Sequence, residues 1–234
     1  MQAHLIDGMD WQALGVSLRL AGLTVLVLLP LGMALARWLA VTRWRGRAMV
    51  EALLLLPLLL PPTVLGFYAL ILLGQRGPLG AWLQSLGLSP LVFSLPGLWL
   101  VSVLVNFPFM VQPIQRAFAA VPQSLREAAW VSGLSSWRTF WRIELPLAWP
   151  GLLAGVALTV AHTLGEFGVV LMVGGNIPGE TRTLAVSLYD KVQGFELAAA
   201  HVMALSLVFM ALLALTLVLA LDRAGQRHRA LQER

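Results

Sequence analysis

The sequence has 234 residues, 59% of them hydrophobic and 12% charged, against about 25% charged in an ordinary soluble domain. One water-soluble core of this length cannot hide so much apolar surface, so the composition calls for a lipid bilayer as solvent. The formal net charge of +5 raises nucleic acid as a partner. The basic residues, however, lie in short loops between apolar runs rather than on one face, which is a topology signal, and no nucleic acid is expected. There are no cysteines, which removes disulfides, thiolate metal sites and a cysteine nucleophile. Lys191 is the only lysine and follows Asp190, so no phosphate-binding G-x-x-x-x-G-K-[ST] loop exists and the chain has no nucleotide site of that kind.

The first fifteen residues contain Asp7 and Asp10 and no Lys or Arg, unlike the positive start of a cleavable signal. Five stretches then meet the length of about 20 mostly apolar residues that a membrane-crossing helix needs: 16–38, 49–73, 92–114, 148–173 and 198–221. Pro30, Pro57, Pro61, Pro62, Pro96, Pro108 and Pro113 predict kinks or breaks in several of them, which neighbouring helices can satisfy. The expected fold is therefore all-α, a polytopic transmembrane bundle of about five spans forming one domain, 1–234. One set of loops holds twelve arginines: Arg37, Arg43, Arg45, Arg47, Arg116, Arg126, Arg138, Arg142, Arg223, Arg227, Arg229 and Arg234. The other set holds four basic residues: Arg19, Arg76, Arg182 and Lys191. Positive loops stay cytoplasmic, so the N-terminus is expected outside and the C-terminus inside, with the 223–234 tail contacting lipid headgroups.

Between the third and fourth spans lies a water-facing cytoplasmic segment, 121–146. Ser124-x-x-Glu127 is the spacing of a capping box that would start a short helix. Gly133 is placed to end it in a left-handed C-cap, and Ser135 or Ser136 can cap a second helix running to Pro146. Trp130, Trp137, Phe140 and Trp141 make the segment amphipathic. Two roles fit: a helix pair lying on the headgroups, or a docking surface for a soluble partner.

The fourth span carries His162, Thr163, Gly165, Glu166 and Gly168. An ionisable residue in a span normally faces the bundle or a cavity, which makes Glu166 a candidate for the path or gate. It can instead lie near the outer interface, or hydrogen-bond His162 four residues earlier on one helix face. Gly165 and Gly168 suit close helix packing. Ser102, Asn106, Thr159 and Thr163 offer hydroxyls and an amide to an anion, or to neighbouring helices. The following loop, with Asn176, Pro178, Gly179, Glu180, Thr181 and Arg182, is external on this topology and rich in turn residues.

The run Glu127-Ala128-Ala129-x3-Gly133-x9-Ile143-x-Leu145-Pro146 resembles the EAA loop of bacterial ABC importer permeases, with every position matched. Three further stretches, 56–80, 106–118 and 157–184, are similar to molybdate importer permeases. Sulfate and thiosulfate permeases share the Gly-Glu-aromatic-Gly and Asn-Ile-Pro patterns. The resemblance implies a type I ABC importer permease, in which residues Glu127, Ala128, Ala129, Gly133, Ile143, Leu145 and Pro146 couple to a cytoplasmic ATPase. It also implies a homodimer in the bacterial inner membrane, ATP-Mg bound by the partner ATPase and not by this chain, and a periplasmic oxyanion-binding protein. The expected cargo is molybdate or tungstate, with sulfate or thiosulfate as the alternative. A secondary transporter is the weaker alternative, because only Glu166 and His162 could couple ions and no inverted repeat is visible. No metal site and no bond-making chemistry are expected of the chain.

Overall fold

Asp10 opens the first long helix, its carboxylate accepting the Ala13 amide at 2.9 Å, a side-chain N-cap. The computed structural model describes residues 8–232, with side chains to residue 220. Asp7, Arg234 and the side chains of the arginine-rich tail therefore lie outside the described residues. The described residues contain no strand. In chain order the helices are α1 (Trp11–Val41), α2 (Arg47–Leu59), α3 (Pro62–Leu73), α4 (Pro78–Ser85), α5 (Leu95–Ala119) and α6 (Gln123–Val131). They continue with α7 (Ser136–Thr139), α8 (Leu145–Gly165), α9 (Gly168–Gly174), α10 (Leu184–Gln193) and α11 (Leu197–Gln232).

Five helical stretches are long and apolar enough to cross a membrane: Trp11–Val41, Pro62–Ser85, Leu95–Ala119, Ser136–Gly165 and Leu197–Ala220. The number agrees with the sequence reading, but two boundaries do not. The second apolar run is two helices rather than one, because Leu60 is extended (ψ 141°) before Pro61 and Pro62, as the residue before a proline tends to be. The fourth span starts earlier and ends earlier than expected. Its helix begins in the water-facing segment and stops at Gly165, where Glu166 turns extended (ψ 126°). The separate helix α9 then begins.

Pro146 does not end a helix either. A π-helical turn, Phe140–Glu144, joins α7 to α8, and the Leu145 amide reaches back five residues to the Phe140 carbonyl. The wider turn relaxes the register just where Pro146 has no N–H to give and its ring needs room. The second helix of the segment and the fourth span are consequently one continuous rod.

Helices α1, α5 and α8 form the centre of the bundle. Their shared core holds Leu28, Leu39, Met110, Ile114, Phe118 and Leu152. Gly151 and Gly155, spaced as in a small-xxx-small motif, bring α8 onto α5. A Cβ at Gly151 would lie 2.3 Å from the Ala117 Cβ and 2.7 Å from the Pro113 carbonyl oxygen. A Cβ at Gly155 would lie 2.9 Å from the Met110 carbonyl oxygen. Outside this centre, α9 packs on α3 and α5, and α11 packs on α8 and α10. The outer face of α11, with Val208, Phe209 and Leu212, is exposed, as suits a helix facing lipid or a second subunit.

Gly151→Ala should lower the thermal stability of the detergent-solubilised protein by the equivalent of about 1–3 kcal/mol, because backbone and not a flexible side chain must yield. Gly22→Ala, where a Cβ would meet nothing within 4 Å, should not. Paired melting curves by intrinsic tryptophan fluorescence check this.

Candidate functional site

The water-facing segment folds as a helix, a hinge and a second helix. Helix α6 has Pro122 at its N-cap position with no side-chain cap. The expected capping box is therefore absent: the helix starts two residues too early for Ser124 to cap it. Glu127 is exposed and instead accepts from the Gln123 side chain at 3.3 Å. The other end follows the sequence rule. Gly133 takes φ +81°, its amide donates to the Trp130 carbonyl, and the Leu134 amide donates to the Ala129 carbonyl. This pair of bonds is a Schellman C-cap. Ser135 caps the next helix by accepting the Arg138 amide at 3.4 Å. Ala129 is buried against the bundle, whereas Ala128 faces outward together with Leu125, Trp130 and Val131, the last 90% exposed. Ile143 and Leu145 are half-buried on the rod.

The segment is tied to the bundle by one carboxylate. Glu144 is 1% exposed and sits between two guanidinium groups. The Arg37 Nε, from the end of α1, donates to it at 2.5 Å, and the Arg126 Nε, from α6, donates at 3.2 Å. Arg126 also donates to the Phe118 carbonyl at 2.8 Å, and Arg37 lies 5.1 Å over the Phe140 ring. The three charged groups come from the first span, helix α6 and the foot of the fourth span. Burial makes the arrangement worthwhile only as a set, since removing one partner leaves an uncompensated charge.

In the middle of the bundle, a hydrogen-bonded chain crosses three helices. The Thr24 hydroxyl donates to the Ser102 hydroxyl at 3.2 Å, the Asn106 amide donates to the Ser102 carbonyl at 2.8 Å, and His162 Nδ1 meets the Asn106 amide oxygen at 3.0 Å. His162 also stacks on Phe109, with ring centroids 3.9 Å apart. The Thr163 hydroxyl donates to the Thr159 carbonyl at 2.8 Å. Ser102, Asn106, Thr159 and Thr163 are all buried. Ser102 and Asn106 link three helices, whereas the Thr163 bond stays within α8 and the buried Thr159 hydroxyl has no hydrogen-bond partner.

The other four residues read as path or gate do line a cavity. His162, Gly165, Glu166 and Gly168 border a space of about 610 Å³ closed on the far side by Pro57 and Pro62. The two helix breaks, after Leu59 and after Gly165, face each other across it. Gly168 permits the approach: a Cβ there would lie 3.0 Å from the Pro62 Cβ. Gly165 has open space and no packing role. Glu166 is 6% exposed, and neither carboxylate oxygen has a hydrogen-bond partner. The expected bond to His162 is not made, because the helix ends between them and His162 is turned to Asn106.

The loop after α9 is tightly bonded. The Asn176 side chain donates to Asp190 at 2.6 Å and accepts from Arg182 at 2.5 Å. The Thr181 hydroxyl, fully buried, donates to the Gly174 carbonyl at 2.6 Å. The amides of Glu180, Thr181 and Arg182 all point to the Ile177 carbonyl. Gly179 takes φ +76°, and Pro178 and Glu180 are exposed at the tip.

This arrangement of spans, hinge and broken helices matches known proteins. Residues 28–227 match the family described as "Binding-protein-dependent transport system inner membrane component". The chain belongs to that family. The permease is 47% identical to a molybdenum transport system permease protein ModB of Azotobacter vinelandii, over 88% of this chain and 91% of that one. It is 38% identical to the ModB protein of Escherichia coli strain K12, over 85% and 87%. A sulfate transport system permease protein CysW of Synechocystis is 33% identical, over 92% of this chain and 79% of the other. Among solved structures, a bacterial ABC transporter involved in alginate import shares the fold with a TM-score of 0.75 at 21% identity, covering 96% of this chain and 83% of that one. The MetNI methionine ABC transporter, in an inward-facing conformation, gives a TM-score of 0.66 at 20% identity, covering 96% and 97%. The permease is thus an ABC importer component and a multi-pass membrane protein.

The sequence reading missed the Arg37–Glu144–Arg126 set. One signal was available: in a segment dominated by arginine, Glu144 is an acid placed immediately before an apolar span. Glu144→Ala should destabilise the permease by about 3 kcal/mol, the lower part of the range for a broken buried pair, because Arg37 is partly exposed. Glu127→Ala should stay within about 0.5 kcal/mol of the parent. Thermal unfolding in detergent separates the two.

Proposed function

We propose that the permease is the pore-forming subunit of a bacterial molybdate importer, working as a homodimer in the inner membrane. Two cytoplasmic ATPase subunits, carrying ATP-Mg, dock on the two 121–146 segments, and a periplasmic binding protein delivers the oxyanion from outside. The observation that carries the cargo assignment is the match to molybdenum permeases along nearly the whole of both chains. It is closer than the match to the sulfate permease, which shares the same fold and motifs. The permease itself supplies no nucleotide site and makes no bonds; the energy comes from the partner.

In this reading the exposed face of α6, with Glu127 and Ala128, meets the ATPase. ATP-driven closure of the ATPase pair moves the hinge region, and the rod from Ser136 to Gly165 carries that movement to the cavity without a flexible joint at Pro146. His162, Gly165, Glu166 and Gly168 then border the gate. Ser102 and Asn106, bonded to Thr24 and His162, keep the moving helices in register; Thr159 and Thr163 are buried in the fourth span. The Asn176–Arg182 loop faces the binding protein.

ATPase stimulation in the reconstituted complex tests the cargo. Binding protein loaded with molybdate or tungstate should stimulate hydrolysis, and sulfate-loaded protein should stimulate weakly; the reverse order would make the cargo sulfate. A second test concerns the hinge. Gly133→Val forces a branched side chain into the left-handed region at a cost of about 1–2 kcal/mol and should abolish stimulation while leaving the permease in the membrane. Unchanged transport by that variant in vesicles would exclude the hinge as the coupling element.

A further inference from the structure

Four arginines converge on one concavity at the cytoplasmic end of the bundle, beside the coupling helix. Arg37, Arg43, Arg47 and Arg126 line a space of about 640 Å³, together with Gln123 and Trp130. Two carboxylates balance them in part. Glu144 forms part of the wall and is shared by Arg37 and Arg126, while Glu51 pairs with Arg47 at 2.8 Å from outside the cavity. Four cations against two anions leave a surplus of two positive charges. Arg43 has no carboxylate within ion-pairing distance among the described residues. Positive loop charge alone does not require this arrangement. Arg45, between Arg43 and Arg47 in sequence, does not line the cavity, so the convergence belongs to the fold.

We propose that this cavity binds a phosphate group, a tetrahedral oxyanion held by Arg43 and Arg47 and bordered by the Glu144-anchored pair. Planar guanidinium groups recognise such oxygens in a bidentate manner. The space exceeds what a bare oxyanion needs, since a water occupies about 30 Å³ of liquid, so a phosphate carried on a larger headgroup fits. Trp130, 46% exposed, borders it as an amphipathic aromatic of the kind found at headgroup depth. The two sources with this chemistry are an anionic phospholipid of the inner leaflet and a free oxyanion of the cytoplasm. Either would sit against the first span, α2 and the coupling helix at once, independently of which cargo the permease carries.

Native mass spectrometry of the purified full-length permease tests the site without any transport assay. The protein is equilibrated in detergent with phosphatidic acid or with the matching diacylglycerol, which lacks only the phosphate. One phosphatidic acid per chain should be retained and diacylglycerol should not. Arg43→Gln and Arg47→Gln should each weaken retention about five-fold, the worth of one basic residue at a lipid surface. Arg45→Gln, a charge neighbour outside the cavity, should leave it unchanged. Displacement of the lipid by millimolar inorganic phosphate would identify the phosphate group alone as the ligand and a free oxyanion as a competent source. Resistance to displacement would identify the lipid. Equal retention of diacylglycerol, or an equal loss in Arg45→Gln, would overturn the proposal.

Discussion

A single buried carboxylate sets the geometry at the end of the bundle that carries α6. Glu144 lies at the foot of the fourth span and is held by Arg37 of the first span and Arg126 of helix α6. The two arginines come from positions 107 and 18 residues away in the chain. Desolvating such a group costs several kcal/mol, and only close geometry with both partners recovers it. Helix α6 has little else to fix it: Arg126 and Ala129 are its buried residues, and the remainder is exposed. A helix held by one ionic anchor and one small apolar contact can keep its orientation while presenting an open face to a partner. Such an anchor also makes the first and fourth spans share any displacement applied to α6.

The membrane half of the structure depends on a different constraint, two helix breaks placed opposite each other. Leu60 and Glu166 both leave the helical region, and the short helices that follow, α3 and α9, pack together through Gly66 and Gly168. Non-helical backbone at membrane depth is tolerated where it borders a cavity or is covered by protein, and the space lined by Pro57, Pro62 and Glu166 meets that condition. The unpartnered Glu166 carboxylate belongs to the same feature. A polar side chain left without a partner in one chain, at the edge of an open cavity, marks a surface completed by something else, whether a second subunit, water or cargo.

The features legible from sequence are those decided by local rules. Five apolar runs followed from length, Gly133 from the need for a positive φ after a short helix, and Ser135 from its place before a helical turn. The misreadings came where one local rule met another. Ser124 and Glu127 have the spacing of a capping box, but Pro122 starts the helix earlier. Pro146 reads as a terminator, yet the π turn before it absorbs the missing donor. His162 and Glu166 share a face only if the helix continues, and it stops between them. Glu144 could be noticed as an acid before an apolar span, but not its partners: they lie 107 and 18 residues away, and no periodicity reports contacts of that kind.

Glu144 ties α6 to the first span, so the two should move as one body. The chain contains no cysteine, so spin labels can be placed at exposed Val131 and Val41 without background, in complexes diluted with unlabelled subunits. One narrow intrachain distance is expected, the same with and without ATP in a complex with the proposed ATPase partner, and a broadened distribution in Glu144→Gln. A shift of that distance on ATP binding in the parent protein would contradict it.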